Sequence, residues 1–154
     1  MKITVLLRRN HEVLRDLIDK FKHTSTRKQH DQSIIQEIRN QVQMHSQMAS
    51  EAFYPALAAT PSDRAVQLVS TARKRCEVVE KLFQELGRLK PSDAAFEGKM
   101  NTMISEIGRH IDMEEDELFH EARKAFPEYR LEELGLETQD RRKRMKMLAA
   151  TWNH

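Results

Sequence analysis

At 154 residues the chain can bury one sizeable core and has no room for two comfortable domains. Charged residues make up 32% and aromatics 6%, with four glycines and four prolines, so the scarcity of breakers favours helices over strands and nothing suggests disorder. A formal charge of +2 provides no global field toward nucleic acid or an anionic membrane, and the single cysteine, Cys76, excludes an intrachain disulfide and suits a reducing cytoplasm.

The opening "MKITVLLRRNHEVL" has an apolar run too short for a signal-peptide core or a membrane span, so a cytoplasmic protein is expected. Helical periodicity then predicts a first helix from about residue 3 to 23, with Leu7, Leu14, Ile18 and Phe21 on one stripe. The polar joint "HTSTRKQHDQS" leads into a second helix of about 31 to 59, striped by Ile35, Ile38, Val42, Phe53 and Ala56, which Pro55 should kink near its end. "TPSDRA" offers Thr60 or Ser62 as a cap for a third helix reaching about 88, with Leu68, Ala72, Val79, Phe83 and Leu86 inward. After "GRLKPSDAA" a fourth helix spans about 92 to 125 through Met103, Ile104, Ile107, Ile111 and Leu118. "FPEYRLEELG" introduces a shorter fifth helix of about 130 to 150 in the basic tail. The expected fold is all-α: a single domain over 1–154, an up-down-up-down four-helix bundle over about 3–126, and the C-terminal helix packed across one end.

Several polar residues sit on the apolar stripes. His11 falls between Leu7 and Leu14, and His45 follows Val42 and precedes Ala49 at helical spacing. In the fourth helix His110 and Glu114, four apart, share a face with Ile107, Ile111 and Leu118, where an unpaired carboxylate would be expensive. The third helix contributes Cys76 between Ala72 and Val79, with Glu80 one turn along its flank. A lone inward histidine is commonly a hydrogen-bonded core residue, and a lone cysteine is commonly packing. Three inward histidines on three helices, with a glutamate one turn from one of them, point to a metal site, because a core without metal would have to satisfy all those polar atoms internally.

The remaining histidines stand apart from this set. His23 and His30 fall at the first joint, His154 is terminal, and His120 points about 80° away from His110 on an ideal helix. The acidic run after Met113 reads as a solvated face beyond Glu114. "RRKRMK" lacks the aromatic interleaving or motif of a nucleic-acid site, so neither nucleic acid nor membrane is expected as a partner.

The segments "LLRRNHEVLRDLIDKF", "HSQMASEAFYPAL" and "IGRHIDMEEDELFHEARKAF", in this order, resemble the bacterial hemerythrin-like, or HHE cation-binding, domains, and the tail "RLEELGLETQDRRKRM" is similar to their final helix. The resemblance implies a left-handed bundle holding two non-haem irons, with histidines from all four helices and bridging glutamates from the second and fourth. His11, His45, His110 and Glu114 match that ligand set by position. Ala49 stands where the second-helix carboxylate is expected and Cys76 where the third-helix histidine is, while Glu51 lies about 200° around the helix from Ala49.

The expectation is therefore a reduced centre of His11, His45 and Glu114 that binds iron, mononuclear or dinuclear, or zinc, and as iron(II) binds or senses dioxygen or nitric oxide. Cys76 with His110 and Glu114, and Glu80 as a further oxygen donor, is an alternative donor set. A metal-free bundle acting as an interaction or regulatory module is the alternative of a different class. No separate substrate-recognition motif is present, so binding is expected rather than turnover.

Overall fold

The structure, a computed structural model, describes residues 1–25 and 32–152. Most of the expected first joint, including His30, and the terminal His154 lie outside these residues. Four rods make the bundle. The first is α1 (Ile3–Ser25); the second is α2 (Gln32–Met48), a π turn (Ala49–Phe53) and α3 (Tyr54–Ala58) in unbroken succession; the third is α4 (Asp63–Leu86). The fourth joins α5 (Ala94–Met113), a second π turn (Glu114–Leu118) and α6 (Phe119–Ala125), and α7 (Glu128–Trp152) follows. Among the described residues there is no strand, and no helix is long and apolar enough to cross a membrane.

Local chemistry sets the ends of these rods. The Ser62 hydroxyl accepts from the Ala65 amide at 3.1 Å and caps α4, whereas Thr60 donates to the Leu57 carbonyl at the close of α3. Phe126 turns extended, as a residue before proline does, and ends α6. Near the end of the second rod Pro55 lies at the start of α3, with Tyr54 between it and a π turn. Lacking an N–H, Pro55 cannot serve the carbonyl of Glu51, and Arg141 of α7 donates to it instead at 3.1 Å.

That bond ties α7 to the second rod. The helix passes the start of α1 and the first π turn, and its Arg141 and Met145 share a groove with Met44 and Glu51. At 25 residues it is also as long as the bundle helices. Its first half buries Leu131, Leu134 and Thr138, and Gly135 admits the backbone of Met1, whose carbonyl oxygen a Cβ there would strike.

The core is divided. One apolar cluster gathers Ile3, Leu7, Phe53, Tyr54, Val69, Leu118 and Phe119, and the other Leu14, Ile38, Val79, Phe83, Ile107 and Ile111. Along each rod the residue between the two clusters is polar: His11 on the first, His45 on the second, Cys76 on the third, His110 and Glu114 on the fourth.

Candidate metal centre

Glu114 is the hub of this layer. Its side chain is fully buried, and its Oε1 lies 3.0 Å from His11 Nε2, 2.6 Å from His45 Nε2 and 3.0 Å from His110 Nε2. Its Oε2 accepts from the hydroxyl of Tyr54 at 2.6 Å. The three imidazoles come from three rods and press together, with ring centroids 4.8 Å apart for His11 and His45 and 5.5 Å for His45 and His110.

Proximity here is not the same as hydrogen bonding. His45 is 3% exposed, yet neither of its ring nitrogens has an aligned partner, so the 2.6 Å approach to Glu114 is a close contact out of line with the ring N–H direction. The Nδ1 of His110 is likewise buried without a partner. Such orphaned nitrogens cost free energy in a core that has only internal partners to offer, and lone pairs aimed at one point are what a metal ion requires.

His11 carries the clearest support of this kind. Its Nδ1 is 3.0 Å from Glu115 Oε2, and Glu115 is in turn held by Arg15 at 3.0 Å, while Phe119 stacks on the imidazole at 5.9 Å. With its proton on Nδ1 donated to Glu115, the ring presents the Nε2 lone pair to the centre, as metal-ligating histidines do when a carboxylate fixes their tautomer.

The protonation states follow from burial set against charge. Burial alone would raise the Glu114 pKa, but His45 and His110 and the bonds from His11 and His110 overcome it, holding the carboxyl well below its ordinary range. Burial would likewise lower His110, but the charge of Glu114 and bonds with Cys76 and Glu114 lift it to about 10. For His45 burial prevails over Glu114, and its pKa is lowered. Burial and the Glu114 charge push Tyr54 well up, so it remains a phenol able to donate.

Of the residues singled out by sequence, His11, His45, His110 and Glu114 converge. The ligand atoms of His11, His45 and Glu114 lie within 4.8 Å of one another. The Cys76 sulfur stands at 4.0 Å from His110 Nε2, and Glu80 faces outward in an ion pair with Arg39 at 3.6 Å. Ala49 is fully buried and opens the first π turn.

Two participants escaped the sequence reading. Tyr54, nine residues after His45, would lie roughly 180° from it on an unbroken helix, and the extra residue of the π turn rotates it back toward the centre. Glu115 belongs to the acidic run expected to be solvated; its side chain is only 16% exposed because Arg8, His11 and Arg15 of α1 meet it. A proline close behind a histidine-bearing stripe was the available signal for the first, and no comparable signal marked the second.

The model of the hemerythrin HHE cation-binding domain matches residues 2–122. The chain belongs to this family. A crystal structure of a hemerythrin HHE cation-binding domain-containing protein from Mycobacterium kansasii is similar in fold, with a TM-score of 0.77 at 20% identity over 98% of this chain and 91% of that one. No curated protein sequence matches the chain significantly. Family membership makes this a domain of a non-haem metal-binding family, and the buried cluster of His11, His45 and Glu114 could hold a metal ion.

Proposed function

We propose that this hemerythrin-like domain binds a single metal ion, iron in the first instance, through His11, His45 and Glu114, and that it serves to bind or sense a small diatomic molecule. The observation that carries this reading is the convergence of buried imidazole nitrogens on one carboxylate oxygen, with His45 left without an aligned hydrogen bond. Iron(II) held by two imidazoles and a carboxylate supplies open positions at which dioxygen or nitric oxide can bind, and zinc would fit the same donors.

The chain's own residues prepare the site. Glu115 orients His11 and holds its Nδ1 proton, Tyr54 occupies the second oxygen of Glu114, and an apolar cluster packs on either side of the layer. Binding rather than turnover is proposed because the sequence carries no separate substrate-recognition motif, and one cysteine fits a cytoplasmic setting.

Elemental mass spectrometry on protein purified without chelator, repeated after anaerobic iron(II) loading and desalting, is the test. About one metal per chain, lost in His45→Ala, is the expected result. Unchanged stoichiometry in His45→Ala would remove the assignment. No metal after both treatments, with an unaltered melting temperature, would favour the metal-free interaction module, because a ligand of the native state must stabilise it.

A second donor set is favoured by the 4.0 Å approach of Cys76 to His110 Nε2. Coordination by Cys76 with His110 and Glu114 would favour a thiophilic metal, and an unchanged metal spectrum in Cys76→Ser would argue against it.

A further inference from the structure

The polar layer is closed on two sides and thin on a third. On the α1 side Phe119 covers His11, with the Arg8 guanidinium 5.6 Å from the Phe119 ring centre, and elsewhere Arg73 lies 5.9 Å from the centre of the Tyr54 ring. Between α2 and α4 two cavities meet. The inner one reaches His45 and His110 among the aliphatic side chains of Leu14, Ile107 and Ile111. The outer one is a surface groove bordered by Gln43, Glu77 and Lys81. Val42, Ser46 and Cys76 line both.

Cys76 is half-buried, and its sulfur lies 4.0 Å from the nearly buried His110 Nε2, so one side chain touches both the surface groove and the imidazoles. His45, 3% exposed and without a hydrogen-bond partner on either nitrogen, lines the same inner cavity. We propose that water and small neutral molecules reach the buried imidazoles through this α2–α4 seam, with Cys76 and Ser46 as its threshold, so that a covalent adduct on Cys76 closes the way in. The proposal gives the metal-binding reading a point of control, but its test does not require metal.

Methyl methanethiosulfonate supplies the adduct. The Cys76 thiolate attacks the sulfenyl sulfur, an S–S bond forms as the sulfur–sulfonyl bond breaks, and methanesulfinate leaves with the electron pair. The chain has no other cysteine. Access is read by deuterium exchange at the imidazole C2 position, followed by mass spectrometry, at His45 and at the exposed His120 as an internal control. His45 is the informative position because it makes no bond to Cys76.

Capped protein of unchanged helicity should exchange at His45 several-fold more slowly than uncapped protein, with His120 unaffected. Ser46→Trp, which fills the threshold from α2 without modifying the thiol, should slow His45 in the same way. Unchanged His45 exchange in both would overturn the seam as the route. Metal content of the same samples is measured separately: zero metal throughout would overturn the metal-binding reading and leave the exchange result standing.

Discussion

The two π turns occupy the same level of the bundle on the second and fourth rods, and they differ in what they carry there. One opens with Glu114, whose carboxylate meets three imidazoles and a phenol; the other opens with Ala49, which offers no donor. Proline is not their shared cause, since Pro55 follows the first turn and His120 stands in the corresponding place after the second. Shared by both is the position beside the polar layer, in keeping with the tendency of π turns to sit at functional sites. The helix distortion at Ala49 therefore stands without a donor side chain.

The largest difference between the turns should appear on truncating each first residue's partner chemistry. Glu114→Ala would leave the protonated His110 buried without its counter-charge and take from His11 and Tyr54 the carboxylate that each meets, and a loss of about 3–5 kcal/mol is expected for breaking a buried pair on one side. Urea denaturation of the metal-free protein measures it, and a loss under about 1 kcal/mol would mean that Glu114 is not the hub its geometry indicates.

Titration perturbs the same hub less severely, because protonation removes charge and leaves the packing. Between pH 6.5 and about 10 the folded chain retains a proton on His110 that the unfolded chain has released, so stability falls as pH rises through this range. Below pH 6.5 the unfolded chain takes up a proton at His45 that the folded chain resists, and stability falls as pH drops. Below 4.5 the unfolded chain begins to protonate its Glu114 equivalent while the folded carboxyl stays charged, which steepens the decline. Melting temperatures of chelator-treated protein should peak near pH 6.5, and a flat profile across this range would contradict the assigned charges.

Ala49→Glu tests the other turn. Ala49 has no exposed surface, so the longer side chain should overpack the metal-free core by about 1–3 kcal/mol. In the metal-loaded protein a second carboxylate beside the layer should raise stoichiometry above that of the parent chain and recover the lost stability by linkage. Unchanged stoichiometry would show that this turn has lost more than its donor.

How much of this was legible in the sequence follows from which helical period applied. His11, His45, His110 and Glu114 lie before or at the start of a π turn, so the ordinary helical period placed them correctly on inward stripes. Tyr54 lies beyond the first π turn, where one additional residue changes the facing direction, and was missed; Glu115 was missed because the α1 side chains that hold it, Arg8, His11 and Arg15, are distant in sequence and leave no periodic trace. The four rods were readable for the same reason, from long unbroken stripes. The contacts of α7 were not, because the bond from Arg141 to the Glu51 carbonyl and the close approach of Met1 to Gly135 leave no periodic trace.

That freed carbonyl supports the smallest prediction. Arg141 donates to Glu51 O at 3.1 Å and to Glu137 Oε1 at 2.9 Å, from a side chain that is 41% exposed, so Arg141→Ala should cost about 0.5–1.5 kcal/mol. The size alone would not separate a surface ion pair from a bond that replaces a missing backbone donor. Pro55→Ala does, because it restores an amide four residues beyond Glu51 that can compete for the same carbonyl. If Arg141 compensates for Pro55, its removal should cost less in the Pro55→Ala background, a coupling measurable in a double-mutant cycle. Strict additivity would instead make Arg141 a surface residue of α7 with no part in completing the first π turn.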